Sequence, residues 1–445
     1  MALNPDIILK GGTVVNHDGA GQRDVAIRNG RIAGLGSFSA SRGGEVIDCT
    51  GLHILPGVVD SQVHLREPGA EHKEDLEAGG RAAAMGGVTA VFEMPNTNPL
   101  TVTEAALADK IRRATNRMYC DFAFWFGGTR DNAAHLGEFE RLPGCAGIKV
   151  FMGSSTGSLL VEDDGGVAHI LANIRRRAAF HSEDEYRLNQ RKGERREGDP
   201  SSHPVWRDAE AARLCTERLL RLAREAGKRI HVLHISTADE MPLLAANKDI
   251  ATVEVTPHHL TFSADDYSRL GTLLQMNPPV RDKSHREGVW AGLQSGIVDV
   301  LGSDHAPHTL EEKQKPYPHS PSGMPGVQTL VPVMLDWVNK GRVSLERFVD
   351  LTSHGPSRIF GMARKGRIAE GYDADLTIVD LKARRTITNQ WIESRCKWTP
   401  YDGMEVMGWP VGTFVRGRRV MWDGQLIGLA TGQPVQFVET LKGAV

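Results

Sequence analysis

Short apolar runs alternate with longer amphipathic stretches through most of the chain. Between residues 57 and 307 the β-branched and aromatic runs are GVVDSQVHL, VTAVFEMP, CDFAFWFGG, GIKVFMG, AAFHSED, RIHVLHIST, TVEVTPHHL and DVLGSDHAP. Stretches of helical character, such as DAEAARLCTERLLRLAREAG, separate most of these runs. Alternation of this kind is typical of βα units around a parallel sheet. The eight runs therefore predict a closed (β/α)₈ barrel.

Both ends of the chain show a different pattern, in which short strands are separated by glycine turns. DIILKGGTVV and DVAIRNGRIAGLG precede Pro56, and KGRIAEGYDADLTIVD and WPVGTFVRGRRVMWDGQLIG follow Arg364. This pattern is rich in β-structure. We predict a barrel domain over residues 56–364 and a small β-sandwich domain that residues 1–55 and 365–445 build together.

The composition is that of an ordinary globular protein and argues against several classes of function. Of the 445 residues, 40% are hydrophobic and 24% are charged, and the formal net charge is -2. This charge predicts no general attraction to nucleic acid or to acidic membranes. No apolar run reaches the roughly 18 residues that span a bilayer, and the N-terminus lacks the features of a secretory signal. The five scattered cysteines favour a reducing, cytoplasmic location.

Polar residues that can bind a metal fall at the ends of several predicted strands. They are His64, Asn96, Lys149, His181, His234, the pair His258 and His259, and Asp304 with His305 and His308. Each has an ordinary explanation alone, such as a structural hydrogen bond, a lysine that extends to the surface or a helix cap. In a barrel, however, the carboxyl ends of the strands meet at one rim. Imidazole and carboxylate groups that converge there suit a Zn²⁺-type ion, so we predict a catalytic metal site.

The motifs around these residues resemble those of the dihydroorotase family of the amidohydrolase superfamily. GLHILPGVVDSQVHLREPG resembles the family's first barrel strand, GGVTAVFEMPNTNP its second, HVLHIST its sixth and GSDHAPH its eighth. KGRIAEGYDADLTIVD resembles the family's return into the small β domain. The resemblance covers nearly the whole chain and implies a zinc-dependent cyclic amidohydrolase. Such an enzyme hydrolyses dihydroorotate reversibly to N-carbamoyl-L-aspartate in de novo pyrimidine (UMP) biosynthesis.

The resemblance also implies a role for each candidate residue. One or two zinc ions are expected, with His64 as a ligand of the more buried ion and with His181 and His234 as ligands of the other. Asp304 matches the aspartate of the eighth strand. Lys149 matches a lysine that CO₂ converts into a carbamate bridging both ions. The groups that hold dihydroorotate match Arg66, Asn96, Asn277 and His308.

Gln62 departs from the family pattern. It stands where most relatives have the first histidine of a His-x-His pair. Only its carbonyl oxygen could replace the imidazole as a ligand, and neutral amide oxygen suits harder cations than zinc. We therefore expect the ion held by His64 to be bound more weakly than its neighbour, or to be absent.

The bridging group has an alternative. Some dihydroorotases bridge their metals with an aspartate from an Asp-Asp-Gly sequence, and VEDDGG offers Asp163 and Asp164. We favour Lys149 because it lies within a predicted strand, whereas the two aspartates follow the loop-like GSSTGS. Burial lowers the pKa of a lysine, which frees its amine to react with CO₂.

The expected chemistry is attack of an activated water on a ring amide. A zinc ion lowers the pKa of its bound water from 15.7 to about 7. Asp304 would take the proton of the attacking hydroxide and deliver it to the departing ring nitrogen, which is the usual task of a positioned carboxylate.

Arg66 predicts which cyclic amide is the substrate. Its guanidinium forms a rigid fork that matches a carboxylate such as that of dihydroorotate. Hydantoinase, dihydropyrimidinase or allantoinase activity is the first alternative, although hydantoinases and dihydropyrimidinases lack the arginine of HLREPG. A purely structural salt bridge from Arg66 to Glu67 or Asp60 is the competing explanation for the residue.

A non-catalytic, dihydroorotase-like scaffold of aspartate transcarbamoylase is the second alternative. Such relatives tend to lose several ligands together, whereas here His64, Lys149, His181, His234 and Asp304 are all present. We expect a small-molecule substrate as the main partner and no nucleic acid or membrane. The resemblance also implies a homodimer.

Overall fold

A computed structural model describes residues 5–39, 44–154 and 159–441. In this part of the chain, short strands come first: β1 Ile7–Lys10, β2 Thr13–Asn16, β3 Gly19–Gln22, β4 Asp24–Arg28, β5 Arg31–Gly36, β6 Glu45–Asp48 and β7 His53–Pro56. Four of them form one sheet in the order β5-β4-β1-β6. The other three, β2, β3 and β7, belong to a second sheet.

The central part of the chain forms a parallel barrel. Its strands are β8 Val58–Val63, β9 Val88–Glu93, β10 Asp121–Gly127, β11 Cys145–Phe151, β12 Ala178–His181, β13 Ile230–Val232, β14 Ala251–Val255 and β15 Val300–Leu301. They lie side by side in chain order. A parallel bridge between Val63 and His305 joins the first strand to the last, and the His64 N–H donates to the His305 carbonyl at 2.6 Å. The predicted (β/α)₈ barrel is confirmed.

Helices connect the barrel strands and cover them from outside. They are α1 Leu76–Met85, α2 Glu104–Ala114, α3 Leu136–Phe139, α4 Asp164–Asn173, α5 Glu185–Gln190, α6 His203–Trp206, α7 Ala209–Glu225, α8 Glu240–Ala245, α9 Pro257–Thr261, α10 Tyr267–Leu270, α11 Lys283–Gln294, α12 Leu310–Lys313, α13 Leu330–Asn339, α14 Leu345–Val349 and α15 Gly355–Phe360. The side chains of Asp75, Thr103, Asp163, Asp208 and Asp282 cap the N-termini of five of the longer helices. Such caps satisfy amide N–H groups that have no partner within the helix.

The C-terminal segment returns to the sheets formed by the N-terminal one. Its strands are β16 Leu376–Thr386, β17 Glu405–Val415, β18 Arg418–Trp422 and β19 Gln425–Leu426. Because β16 pairs with β7, the second sheet runs β19-β18-β17-β16-β7-β2-β3. Leu9 and Ile27 of the first sheet pack against Ile54, Leu376 and Phe414 of the second. The small sandwich built from both ends of the chain is confirmed, and the boundaries proposed for it stay a prediction.

The N-terminal end of the barrel interior is filled by aromatic side chains. Phe92, Trp125 and Phe360 meet edge to face, with ring centroids 5.4 to 6.2 Å apart. Edge-to-face contacts of this kind add to the stability gained from burial. The buried His231 of β13 packs against Phe360 in the same cluster, with ring centroids 5.2 Å apart.

Some predicted strands are shorter in the structure. The seventh ends at Val255, and His258 and His259 lie on α9 instead, because Thr256 caps that helix and Pro257 occupies its first turn. Of the predicted loop GSSTGS, residues 155–158 lie outside the described residues. None of the helices described is long and apolar enough to cross a membrane. The five cysteines are buried and carry free thiols.

Candidate metal centre

Five predicted ligands lie at the C-terminal end of the barrel, and all of them are buried. Lys149 lies within β11, His181 is the last residue of β12, and His64 directly follows β8. His234 and Asp304 lie just beyond β13 and β15. Adjacent parallel strands thus bring together side chains that are up to 240 residues apart in sequence, as the rim of such a barrel does.

His64 and Asp304 form one pair of potential ligands. The His64 Nδ1 lies 2.8 Å from the Asn96 Oδ1, and its Nε2 lies 3.3 Å from the Asp304 Oδ1. Because the Asn96 oxygen can only accept, Nδ1 carries the proton and Nε2 presents a lone pair. Gln62 donates from its Nε2 to the same Asp304 oxygen at 3.0 Å.

His181 and His234 form a second pair. The His181 Nδ1 lies 3.0 Å from the His234 Nε2, and the His181 Nε2 lies 2.9 Å from a carboxylate oxygen of Glu183. Burial alone would raise the pKa of Glu183. The neighbouring Arg207 and His181 instead hold this pKa well below its usual range. Because Glu183 accepts from the Nε2–H of His181, the Nδ1 of His181 keeps a lone pair that can bind a metal. Metal-bound histidines commonly have such a carboxylate partner on the other ring nitrogen.

Lys149 has a buried amine that lacks a hydrogen-bond partner among the described residues. Its Nζ lies 4.4 Å from the centroid of the Phe151 ring. Burial lowers the pKa of Lys149 to about 7, although Asp304 and Glu254 oppose the shift. Burial lowers the pKa values of both His181 and His234, and the charge of Lys149 lowers them further. Lys149 is therefore close enough to act electrostatically on both pairs.

Three of the nine non-glycine residues with positive φ in the described part of the chain lie at this rim. Arg66, His234 and Asp304 have φ values of 62°, 38° and 49°, in the left-handed region that non-glycine residues rarely adopt. Each lies two or three residues beyond the end of a barrel strand. Such strain persists only where the surrounding structure enforces it, and it is often found at functional sites.

The donor set fits one or two metal ions. Among the described residues, no three His, Cys, Asp or Glu side chains gather closely enough to hold an ion by themselves. The candidate ligands come instead as two pairs, and Lys149 would have to supply the group that joins them. The buried Oε1 of Gln62 also lacks a partner among these residues, so it is available as a weak oxygen ligand.

Asp163 and Asp164 lie away from this cluster. Asp163 caps α4, accepts from the Gly166 N–H at 2.9 Å and pairs with Arg130. Asp164 pairs with Arg221 at 2.6 Å, and about half of its side chain is exposed. The structure therefore gives both aspartates structural contacts on the outside of the barrel.

Arg66 is a buried cation without a carboxylate partner among the described residues. Its Nε donates to the Pro307 carbonyl at 3.1 Å, and its Nη2 lies 3.2 Å from the His308 Nε2. Glu67 instead accepts from Arg117 at 2.7 Å, and Asp60 accepts from the Ser303 N–H at 2.9 Å. The structural salt bridges considered for Arg66 are therefore absent.

His308 lies beside Arg66 as a neutral imidazole. Burial and the neighbouring Arg66 lower the pKa of His308 to about 3. Lys73 donates to its Nδ1 at 3.1 Å, so the proton lies on Nε2, which donates to the Ser322 carbonyl at 3.0 Å. An N–H that is already engaged cannot accept from Arg66. The Arg66 Nη2 is thus left for another acceptor.

The two asparagines predicted to hold substrate have protein partners in this structure. Asn96 binds His64, as described above, and the Asn277 Oδ1 accepts from the His203 Nε2 at 2.9 Å. The histidine pair of α9 is held by protein as well, since His258 binds the Tyr401 hydroxyl at 3.0 Å and His259 binds the Pro278 carbonyl at 3.1 Å.

Two carboxylates near the ligands were missed in the sequence. Glu254 lies inside β14, accepts from the Ser61 hydroxyl at 2.8 Å, and has a pKa that burial raises to about 8. A charged residue within the apolar run TVEV is the same signal that identified Lys149 in GIKVFMG. Glu183 was detectable only as a carboxylate two residues after His181.

Replacing Lys149 with methionine should stabilise the metal-free protein by about 1–3 kcal/mol below pH 7, because a buried polar group without a partner is removed. The pKa of Lys149 is lower in the folded than in the unfolded chain. Between these two pKa values the unfolded chain therefore binds the extra proton, so the charge-dependent part of the penalty is full below about pH 7 and disappears as the pH rises toward 10.5. Urea unfolding at pH 6.5 and at pH 10, roughly the two ends of this range, measures the effect.

Asp163→Ala is the matched control for the other candidate bridge. Loss of the α4 cap should cost about 1 kcal/mol at both pH values. A Lys149→Met variant whose gain in stability does not depend on pH would contradict the interpretation of Lys149 as a buried amine with a lowered pKa. The zinc content of the same two variants then distinguishes the candidate bridges, since we expect only Lys149→Met to lower it.

Family models and known proteins match the sequence of this chain over most of its length. A family model described as "Amidohydrolase family" matches residues 209–420, and another described as "Dihydro-orotase-like" matches residues 51–120. A dihydroorotase of Halobacterium salinarum is 38% identical over 422 residues, which cover 93% of this chain and 96% of the relative. An L-hydantoinase of Paenarthrobacter aurescens is 32% identical over 444 residues, which cover 95% and 96%.

Similarity to solved structures extends over both domains. The L-hydantoinase (dihydropyrimidinase) from Arthrobacter aurescens superposes with a TM-score of 0.91 at 32% sequence identity. The superposition covers 97% of this chain and 99% of that one. The similar proteins thus carry names that refer to more than one cyclic substrate.

Proposed function

Because the chain belongs to the dihydroorotase-like branch of the amidohydrolase family, we propose that it hydrolyses dihydroorotate reversibly to N-carbamoyl-L-aspartate. The family relationship by itself supports a hydrolase of cyclic amides. The observation that carries the narrower proposal is Arg66, a buried guanidinium without a carboxylate partner among the described residues. Such a cation is stabilised by an anionic substrate, and dihydroorotate has a ring carboxylate.

The chain's own residues supply a complete donor set for the metal. His64 with Asp304 would form one half of the site and His181 with His234 the other. Lys149 would join the halves after its neutral amine adds CO₂, which forms an N–C bond, releases a proton and leaves an anionic carbamate. When bound, zinc supplies Lewis-acid chemistry, acidifying water and polarising a carbonyl.

Asp304 is the proposed proton carrier. Its carboxylate takes the proton that water loses on attacking the ring carbonyl, and returns it to the ring nitrogen when the C–N bond breaks. Gln62 orients Asp304 through the hydrogen bond to Oδ1. Arg66 meanwhile holds the substrate carboxylate, which keeps the ring amide in place for attack.

A substrate panel tests the proposal. Turnover of dihydroorotate is compared with that of hydantoin, dihydrouracil and allantoin on the zinc-loaded protein. We expect the largest kcat/KM for dihydroorotate, and faster turnover of any other ring would overturn the assignment. A scaffold for aspartate transcarbamoylase would bind no zinc and hydrolyse none of the four rings.

Replacing Gln62 with histidine should tighten the weaker of the zinc sites. Imidazole is a better zinc ligand than an amide oxygen, and changes even behind the ligands alter metal affinity by about 10–100-fold. We therefore expect at least about tenfold tighter binding, measured by titrating zinc into chelator-treated protein.

Gln294→His is the control, because residue 294 is exposed on α11 and a histidine there tests for nonspecific zinc binding. Two equally tight zinc ions in the wild-type protein, with affinities that Gln62→His leaves unchanged, would show that Gln62 does not weaken the site.

A further inference from the structure

A cavity lies at the N-terminal end of the barrel, opposite the candidate metal centre. Its volume is about 480 Å³, and Glu439 is the acidic residue that lines it. Its cationic lining residues are Arg175, Arg176, Arg177, Lys228, Arg229 and Arg358. These residues come from the segments that lead into β12 and β13 and from α15. The metal centre takes its ligands from the other end of the same strands, so the two sites are separate.

Three of the cations are held in place mainly by neutral groups. Arg176 is buried and donates to the carbonyls of Glu140, Cys145 and Phe360. Arg177 donates to the Ile230 carbonyl at 2.8 Å, and Lys228 donates to the Ile174 carbonyl at 2.6 Å. Backbone carbonyls fix these side chains without neutralising their charge.

The acids near the cavity leave most of this charge uncompensated. Glu439 lies 3.6 Å from Arg176 and is largely exposed. Two further acids nearby are engaged by other groups. Glu140 accepts from the backbone N–H groups of Arg175 and Arg176, and Asp299 pairs with Lys248.

The remaining cations have no described partner. No hydrogen bond or ion pair joins the side chains of Arg175, Arg229 or Arg358 to the part of the chain that the structure describes. Burial and the nearby charges of Arg229 and Arg358 lower the pKa of Arg177 to about 10. The guanidinium groups therefore repel one another across the cavity, and an anion placed between them would relieve this repulsion.

We propose that this cavity binds a small anion carrying several phosphate charges, such as a di- or triphosphate chain. Guanidinium forks match phosphate oxygens in two-point contacts. A cavity of about 480 Å³ falls within the range of small-molecule sites, which is about 300–1,000 Å³. An acidic peptide would instead require an extended surface, so a cationic lining confined to one cavity favours the small anion. The proposal does not depend on the reaction at the metal centre.

The test is calorimetric titration of the full chain with inorganic triphosphate at low ionic strength. We compare the wild-type protein with the double variant Arg229→Gln/Arg358→Gln. Both side chains are exposed, so the fold should tolerate the change, and thermal unfolding checks this. Charge-assisted hydrogen bonds contribute enough that the double variant should bind at least about tenfold more weakly.

The matched control is Arg384→Gln/Arg385→Gln, which removes two exposed arginines from β16 of the small domain. Its affinity should stay within about twofold of wild type. If the first double variant fails to fold, Arg175→Gln replaces it, with a smaller loss in the same direction.

The outcomes separate the possible ligands. Ribonucleoside triphosphates that bind as tightly as inorganic triphosphate, or more tightly, support the proposal, and a tighter nucleotide shows that the nucleoside also contributes. The proposal is overturned if triphosphate binds no better than sulfate, if the double variant binds like wild type, or if a polyglutamate peptide binds more tightly than triphosphate.

Discussion

Asp304→Asn should lower kcat for dihydroorotate by about 10²–10⁴-fold, the usual contribution of general acid–base catalysis. Asparagine has nearly the same shape and can still accept the hydrogen bond from Gln62, but it cannot take up a proton at this position. Substrate binding should remain within a fewfold of wild type, because the variant leaves Arg66 and His308 in place. Steady-state kinetics and equilibrium binding of dihydroorotate measure the two effects separately.

Asp336→Asn is the matched control, since this aspartate is also buried but lies on α13, where it accepts from the Met407 N–H. It should keep kcat near the wild-type value. Near-normal turnover by Asp304→Asn would refute the proton-carrier role. Because Asp304 is also a proposed zinc ligand, kcat of the variant is measured at zinc concentrations that restore full metal occupancy, and a loss that disappears at full occupancy would likewise refute the proton-carrier role.

The order of the barrel was predictable because each βα unit has its own local signal. The residues at which the barrel strands end were harder to predict. RIHVLHIST predicts a strand through Thr237, yet β13 ends at Val232, and β15 ends at Leu301 although DVLGSDHAP continues. His234 and Asp304 adopt left-handed backbone conformations, which interrupt the ladder. The surrounding barrel imposes these conformations, so the local sequence does not reveal them.

Candidate ligands could be predicted where an unusual residue stands in an apolar run, as Lys149 does. Their supporting contacts could not, because partner choice depends on tertiary placement. Glu183 is held by Arg207, which is 24 residues away, and Glu67 is held by Arg113 and Arg117, further along the chain. Sequence alone could not tell whether Glu67 would neutralise Arg66. The structure resolves this point by giving Glu67 other partners.

Arg66→Gln should reduce kcat/KM for dihydroorotate by about 10²–10⁴-fold. The variant removes two charge-assisted hydrogen bonds to the substrate carboxylate, each contributing about 1.5–3 kcal/mol. Dihydrouracil has no such carboxylate, so its kcat/KM, or its inhibition constant if it is not turned over, should change by less than about fivefold. The ratio of the two effects is the measurement.

Two further variants test whether the loss of kcat/KM comes from the missing contact with the substrate carboxylate. Arg66→Lys keeps the charge but loses the planar fork, so it should recover only part of the loss. Arg113→Gln is the control, because Arg113 lies on α2 and Arg117 still pairs with Glu67 when Arg113 is removed. An equal loss with both rings in Arg66→Gln would show that Arg66 supports the backbone at Pro307 and does not bind the carboxylate. A loss confined to dihydroorotate makes this buried guanidinium the residue that selects an acidic ring over neutral ones.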